Sequence, residues 1–137
     1  MSDYKKPLPV IDEHNRPYWE GLKAHKVVLP RCKTCDHVRF QPSRYCPDCG
    51  SQESEWTELA GSGRVWARCA FHQVYFEGFR DEIPYNVVVV ELDGGPRVYS
   101  NLVGVEDPWS VPIGASVEAV FDDVTEDVTL LKFRPTG

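Results

Sequence analysis

The sequence predicts a mainly β protein in three parts: a short N-terminal helix, a small cysteine-built ribbon and a C-terminal barrel of five strands. Three observations carry that expectation. Two Cys-x-x-Cys pairs, Cys32-Lys33-Thr34-Cys35 and Cys46-Pro47-Asp48-Cys49, stand ten residues apart. Beyond Gly61-Ser62-Gly63 the chain changes to β-rich runs separated by turn residues. Ahead of the first cysteine, Tyr18, Trp19 and Leu22 share one helical face. The expected units are an arm and helix over 1–26, the ribbon over 27–60 and the barrel over 61–137.

Residues 1–11 contain Pro7 and Pro9 and little periodicity, so they read as an extended arm, ordered where it lies on something. Asn15 offers an N-cap and Pro17 a first-turn proline for a helix running to about Ala24. A helix this short is marginal alone, and Trp19 and Leu22 are expected to bury against the body or a partner. Val27-Val28-Leu29 then leads as a strand into the first cysteine pair.

The cysteine spacing is that of a four-thiolate, rubredoxin-like zinc ribbon, with Cys32, Cys35, Cys46 and Cys49 as ligands. Each pair brings two sulfurs to one ion from a tight turn, and two pairs fill a tetrahedral shell. No position stays open for water, so the metal is expected to be structural. Zinc is preferred, and iron uses the same ligand set in rubredoxin-like sites. Asp36 and Gly50 follow the two pairs, where a residue able to enter the left-handed region is useful. Phe40 is expected to cover the thin module, and Ser51–Ser54 to be turn-like, with Trp56 ending the unit.

From Gly63, strands are expected over Arg64–Phe76, Tyr85–Leu92, Arg97–Val103, Ser116–Phe121 and Val128–Phe133. Asp93-Gly94-Gly95 signals a hairpin between the second and third. A long first strand, a tight hairpin and a longer link after the third strand suit an OB-fold barrel, and strand number alone also fits an SH3-like barrel. Signatures of phosphate loops, His-Glu-x-x-His metalloproteases and Gly-x-Ser-x-Gly hydrolases are absent from the sequence.

At 137 residues, 42% hydrophobic and 12% aromatic, the chain can bury a core as one domain or two small packed units. A formal charge of −6 disfavours nucleic acid as partner, because cationic side chains supply most of that affinity. Charge is uneven: Arg31, Lys33, Arg39 and Arg44 make the ribbon locally basic, whereas the span 106–127 holds seven acids and no Lys or Arg. The longest apolar run, Val87–Val90, is far short of the roughly 18 residues a membrane span needs. A polar start, Met1-Ser2-Asp3-Tyr4-Lys5, and thiols required for metal point to a cytoplasmic protein without disulfides.

Several motifs together carry a resemblance. They are Tyr18-Trp19-Glu20-Gly21-Leu22, the two cysteine pairs with Pro47 and Gly50, Pro84-Tyr85, Glu91-Leu92-Asp93-Gly94, Asn101-Leu102-Val103-Gly104 and Ile113-Gly114. In this order they resemble the zinc-ribbon/OB-fold family once called domain of unknown function thirty-five, over nearly the whole chain. The resemblance implies a non-catalytic accessory subunit in a hetero-oligomer with a thiolase-like enzyme: a thiolase, acyltransferase or retro-aldolase. It implies acyl-CoA carbon–carbon bond chemistry, in lipid or aromatic degradation, with the CoA thioester as ligand of the complex and the catalytic groups on the partner. A nucleic-acid-binding ribbon and barrel is the alternative from another class.

Tyr75-Phe76-Glu77-Gly78-Phe79-Arg80 is unusually aromatic for a loop, and with Trp19 these residues are the candidates for a partner or acyl-CoA interface: Tyr75, Phe76, Phe79 and Arg80. Cys69, the fifth cysteine, reads as a small buried hydrophobe. His72, three residues on, would lie on the opposite strand face, a poor geometry for a nucleophile pair.

Overall fold

The computed structural model describes residues 4–136. Helix α1 (Arg16–Lys23) precedes a two-stranded antiparallel ribbon, β1 (Val27–Cys32) and β2 (Ser54–Leu59). The remaining strands are β3 (Ser62–Phe71), β4 (Tyr85–Leu92), β5 (Arg97–Ser100), β6 (Ser116–Asp123) and β7 (Thr129–Pro135). They form one curled five-stranded antiparallel sheet in the order β5-β4-β3-β6-β7. Its two edges meet where Leu102, just past β5, bridges Phe133 of β7 in parallel, with Val103 N–H donating to the Phe133 carbonyl at 2.8 Å. This is OB-fold order, in which the third and fifth barrel strands run side by side. Among the described residues no helix is long and apolar enough to cross a membrane.

One hydrophobic cluster serves the ribbon and the barrel alike. Tyr18 and Leu22 of α1 and Val27 and Leu29 of β1 pack in the same buried set as Val65, Val88, Val90 and Phe133. Leu22, Leu29, Val88, Val90 and Phe133 are fully buried. A residue pair four apart, Tyr18 and Leu22, faces this core, so α1 buries Tyr18 while Trp19 stays half-buried at its rim.

The structure departs from the sequence expectation at several points. Helix α1 begins one residue before Pro17, and Asn15 does not cap it with its side chain. Instead the Asn15 carboxamide serves the arm, accepting from Asp12 N–H at 2.8 Å and donating to the Val10 carbonyl at 3.0 Å. Strand β2, expected to be only a polar turn and an end to the module, pairs with β1 along its whole length. Strand β3 stops at Phe71 because its partner β4 begins opposite, at Tyr85, after Pro84, which has no N–H to extend the ladder. Strand β5 stops at Ser100, and β6 and β7 each run two residues further than expected. Phe40 packs on Tyr18, ring centroids 6.0 Å apart, and not over the metal module. Cys69 is exposed, since its cross-strand neighbour is Val87 on the outer face of the sheet.

At Lys5 and Lys6 the arm lies on the turn Glu77–Glu82; positions 1–3 of the expected arm fall outside the described residues. Lys6 pairs with Glu82 at 2.7 Å and sits over the Phe79 ring at 5.1 Å. The contact is close enough that a Cβ on Gly78 would come within 2.4 Å of the Lys5 carbonyl oxygen.

Candidate metal centre and partner surfaces

The two cysteine pairs fold as repeated copies of one turn. In the first, Asp36 N–H donates to the Cys32 carbonyl at 2.9 Å and Cys32 N–H to the His37 carbonyl at 2.8 Å. In the second, Gly50 N–H donates to the Cys46 carbonyl and Cys46 N–H to the Ser51 carbonyl, both at 2.9 Å. The fifth residue of each turn is left-handed, Asp36 at φ 66° and Gly50 at φ 78°, as the sequence predicts. A hydroxyl bond of 3.0 Å from Thr34 to Ser51 ties one turn to the other.

This arrangement brings the four sulfurs of Cys32, Cys35, Cys46 and Cys49 within 4.8 Å of one another. Cys32 and Cys49 sulfurs are 3.6 Å apart, as are those of Cys35 and Cys46. A tetrahedral ion with sulfur at about 2.3 Å requires sulfur–sulfur edges of about 3.8 Å, so the set fits a zinc-type ion in size. Electrostatics agree. Backbone N–H groups of Cys35 and Thr34 stabilise the Cys32 thiolate and draw its pKa down to about 6. At Cys35 the His37 N–H favours the thiolate, but partial loss of solvent at the sulfur and hydrogen bonding with the Cys46 and Cys49 sulfurs outweigh it and push the thiol up to about 12. Four thiolates at this spacing therefore need a cation among them. Cys32 and Cys46 are buried and Cys35 and Cys49 exposed, so the cluster sits at the tip of the ribbon. His37 turns away to Asp48, 3.0 Å from its carboxylate.

Two of the four basic residues of the ribbon are occupied within the fold. Arg31 pairs with Glu55 and Asp36. Arg39 is 3% exposed and donates to the Ser43 carbonyl, so it braces the loop between the cysteine pairs. Neither is presented as a phosphate-binding surface.

Tyr75, Phe76, Phe79 and Arg80 lie together in the β3–β4 connection. Tyr75 and Phe76 are 62% and 56% exposed. Phe79 is stacked on Tyr85 at 4.8 Å, and Arg80 is bound to both oxygens of Glu77 at 2.7 and 2.8 Å, which holds the Glu77 carboxyl below its usual range. Trp19 is elsewhere, lining a cleft of about 440 Å³ between α1, the ribbon and the barrel. Phe40, Tyr99, Leu131 and Lys132 line it too. Asn101 and Lys132 border both this cleft and a smaller hollow beside Phe79. Sequence reasoning missed Tyr99 and Lys132, because their convergence depends on β5 and β7 meeting at the sheet edges.

A four-cysteine ribbon joined through a shared core to a curled OB sheet defines a zinc-ribbon/OB-fold protein. Residues 19–55 match the rubredoxin-like zinc ribbon domain of ChsH2, and residues 56–122 match the ChsH2 C-terminal OB-fold domain. A DUF35 domain-containing scaffold protein of Methanocaldococcus jannaschii is 34% identical over 111 residues, covering 80% of this chain and 77% of that protein. The chain belongs to the DUF35 family. It is also 35% identical over 130 residues to the probable enoyl-CoA hydratase alpha subunit of Thermomonospora curvata, covering 95% of this chain but spanning only 40% of that relative's length. Among solved structures, a chain of the Ltp2-ChsH2(DUF35) aldolase superposes with a TM-score of 0.80 at 35% identity, over 93% of this chain and 98% of the other. A DUF35 protein of Sulfolobus solfataricus shares the fold, with a TM-score of 0.61 at 16% identity over 90% of this chain and 86% of the other.

Proposed function

We propose that this chain is a non-catalytic accessory subunit that binds and stabilises a thiolase-like enzyme acting on acyl-CoA carbon–carbon bonds. The observation that carries this reading is the likeness, over nearly the full length of both chains, to a chain of the Ltp2-ChsH2(DUF35) aldolase. The metal site supports it. Four protein sulfurs fill a zinc shell and leave no coordination position for a thioester or a water, so the ion fastens the ribbon and the chemistry belongs to the partner.

In this reading Cys32, Cys35, Cys46 and Cys49 hold zinc, and the zinc holds β1 in register with β2. The Trp19 cleft faces the acyl-CoA channel of the complex: its aromatic walls suit an acyl chain or an adenine ring, and Lys132, ion-paired with Asp122, lines it too. Tyr75 and Phe76 reach from the rigid sheet toward the enzyme. Co-expression with a thiolase-like protein from the same genome tests the proposal. A stable hetero-oligomer on gel filtration is expected. Separate elution, with salt-sensitive retention on single-stranded nucleic acid, would transfer the chain to the nucleic-acid class.

A further inference from the structure

Strand β4 is apolar on both faces. Val88, Val90 and Leu92 point inward and are at most 2% exposed, which leaves Val87, Val89 and Glu91 on the outer face. Outward positions of a half-solvated antiparallel sheet are normally polar, and an unbroken apolar run marks a strand covered on both sides. The strand registers extend this outer face. Val89 stands between Ala67 and Tyr99, and Val87 stands beside Cys69. At one end the rings of Phe71 and Tyr85 are 5.2 Å apart. At the other, Arg64, Glu91 and Arg97 form a row across three strands, and the Arg97 guanidinium lies 4.0 Å from the Trp66 ring. Trp66 and Tyr99 are 49% and 69% exposed.

Resting on the accessory-subunit reading above, we infer that the outer face of β3, β4 and β5 is the seat of the thiolase-like partner. The partner lays aliphatic side chains over Val87 and Val89 and sets carboxylates against the Arg64–Arg97 row. Arg97 is ion-paired with Glu91 at 3.0 Å and Arg64 donates to the Gly114 carbonyl, which leaves one guanidinium charge in excess there, in a chain whose net charge is −6, so this end of the face complements an acidic surface. A second copy is the poorer occupant on charge, because an identical face brings the same excess of guanidinium over carboxylate. From Tyr85 to Glu91 the face runs about 20 Å, and three strands make it about 14 Å wide, giving about 280 Å². A stable pair needs about 800 Å² from each side. The strand face alone therefore falls short, and Tyr75, 5.9 Å from Phe71, and Phe76 continue it past the strand ends.

Cys69 lies on β3 beside Val87 of this face, outside the metal cluster, and reports on its coverage. The metal-loaded chain is treated with N-ethylmaleimide, alone and in the purified complex with a thiolase-like protein from the same genome, and Cys69 modification is followed by mass spectrometry. Alkylation about tenfold slower in the complex is expected. Val89→Lys, at a half-buried position on the outer face, is expected to keep its metal and melting temperature while weakening the complex at least about tenfold. A complex that forms while Cys69 reacts at its free rate, or that Val89→Lys leaves intact, overturns the inference and spares the accessory-subunit reading. Alkylation that slows as the concentration of the chain alone rises also overturns it, by giving the face to a second copy. No complex between the wild-type proteins overturns the accessory-subunit reading and this inference with it.

Discussion

The Asn86 side chain makes both backbone hydrogen bonds of Leu102. Its Oδ1 accepts from Leu102 N–H at 2.6 Å and its Nδ2 donates to the Leu102 carbonyl at 3.0 Å. The carboxamide thus acts as one more strand residue, pinning the chain where β5 has ended and where Leu102 bridges to Phe133. Leu102 is 4% exposed, so its N–H would have no ready water if the amide were lost. Asn86→Ala is expected to lower stability by about 1–3 kcal/mol, read from the urea midpoint, with metal content unchanged. A variant as stable as the wild type would show that the seam between β5 and β7 closes without this residue.

Metal removal tests the scaffold. The ribbon alone has little to bury, and its ion supplies folding energy on the order of 10 kcal/mol, apparent, for sites of this kind. Because Val27 and Leu29 share their core with Val88 and Phe133, disorder in the ribbon uncovers the barrel. Cys46→Ser, or a chelator, is expected to release one ion per chain and collapse the cooperative melt, monitored by elemental analysis and tryptophan fluorescence. An unchanged melt in metal-free protein would make the ion dispensable.

Acid stability has a definite sign. The Thr129 hydroxyl and then the His25 ring, 3.1 Å from both oxygens, hold the Asp123 carboxyl below its ordinary range. A depressed folded pKa contributes stability that is complete above the unfolded value of about 3.9 and is lost as pH falls through the lower folded value. Asp123→Asn is therefore expected to be less stable than wild type near pH 7, with the gap closing below about pH 4. Urea midpoints of both proteins across that range check it, and a gap independent of pH would contradict it.

The arm supplies another test. A methyl group at Gly78 would meet the backbone carbonyl of Lys5, which a flexible side chain cannot relieve. Gly78→Ala is expected to lift the arm off the Glu77–Glu82 turn and break the Lys6–Glu82 pair while the barrel stays folded. Limited proteolysis should then cut near Lys5 and Lys6 several-fold faster than in wild type, with no change in metal content.

The legible parts of this fold were those set by neighbours in the sequence. Two cysteine pairs, with Asp36 and Gly50 just behind them, specify their turns locally, and both left-handed positions fall where the spacing puts them. Strand β4 and its Asp93-Gly94-Gly95 hairpin are equally local. Strand β2 was hidden because Ser54-Glu55-Trp56-Thr57-Glu58 reads as polar coil until β1 supplies its partners. Burial of Arg39, exposure of Cys69 and the reach of Asn86 to Leu102 depend on contacts between distant segments, for which no local pattern exists. At the candidate site the convergence of the four cysteines was legible for the same reason as the turns, and the cleft around Trp19 was not.

The most direct measurement compares thioester turnover by the metal-loaded chain alone, the thiolase-like partner alone and their complex. No turnover by the isolated chain is expected, with the complex more active or more soluble than the partner by itself. Turnover by the isolated chain that survives purification and is lost on mutating its own side chains would contradict a scaffold whose chemistry resides in another protein.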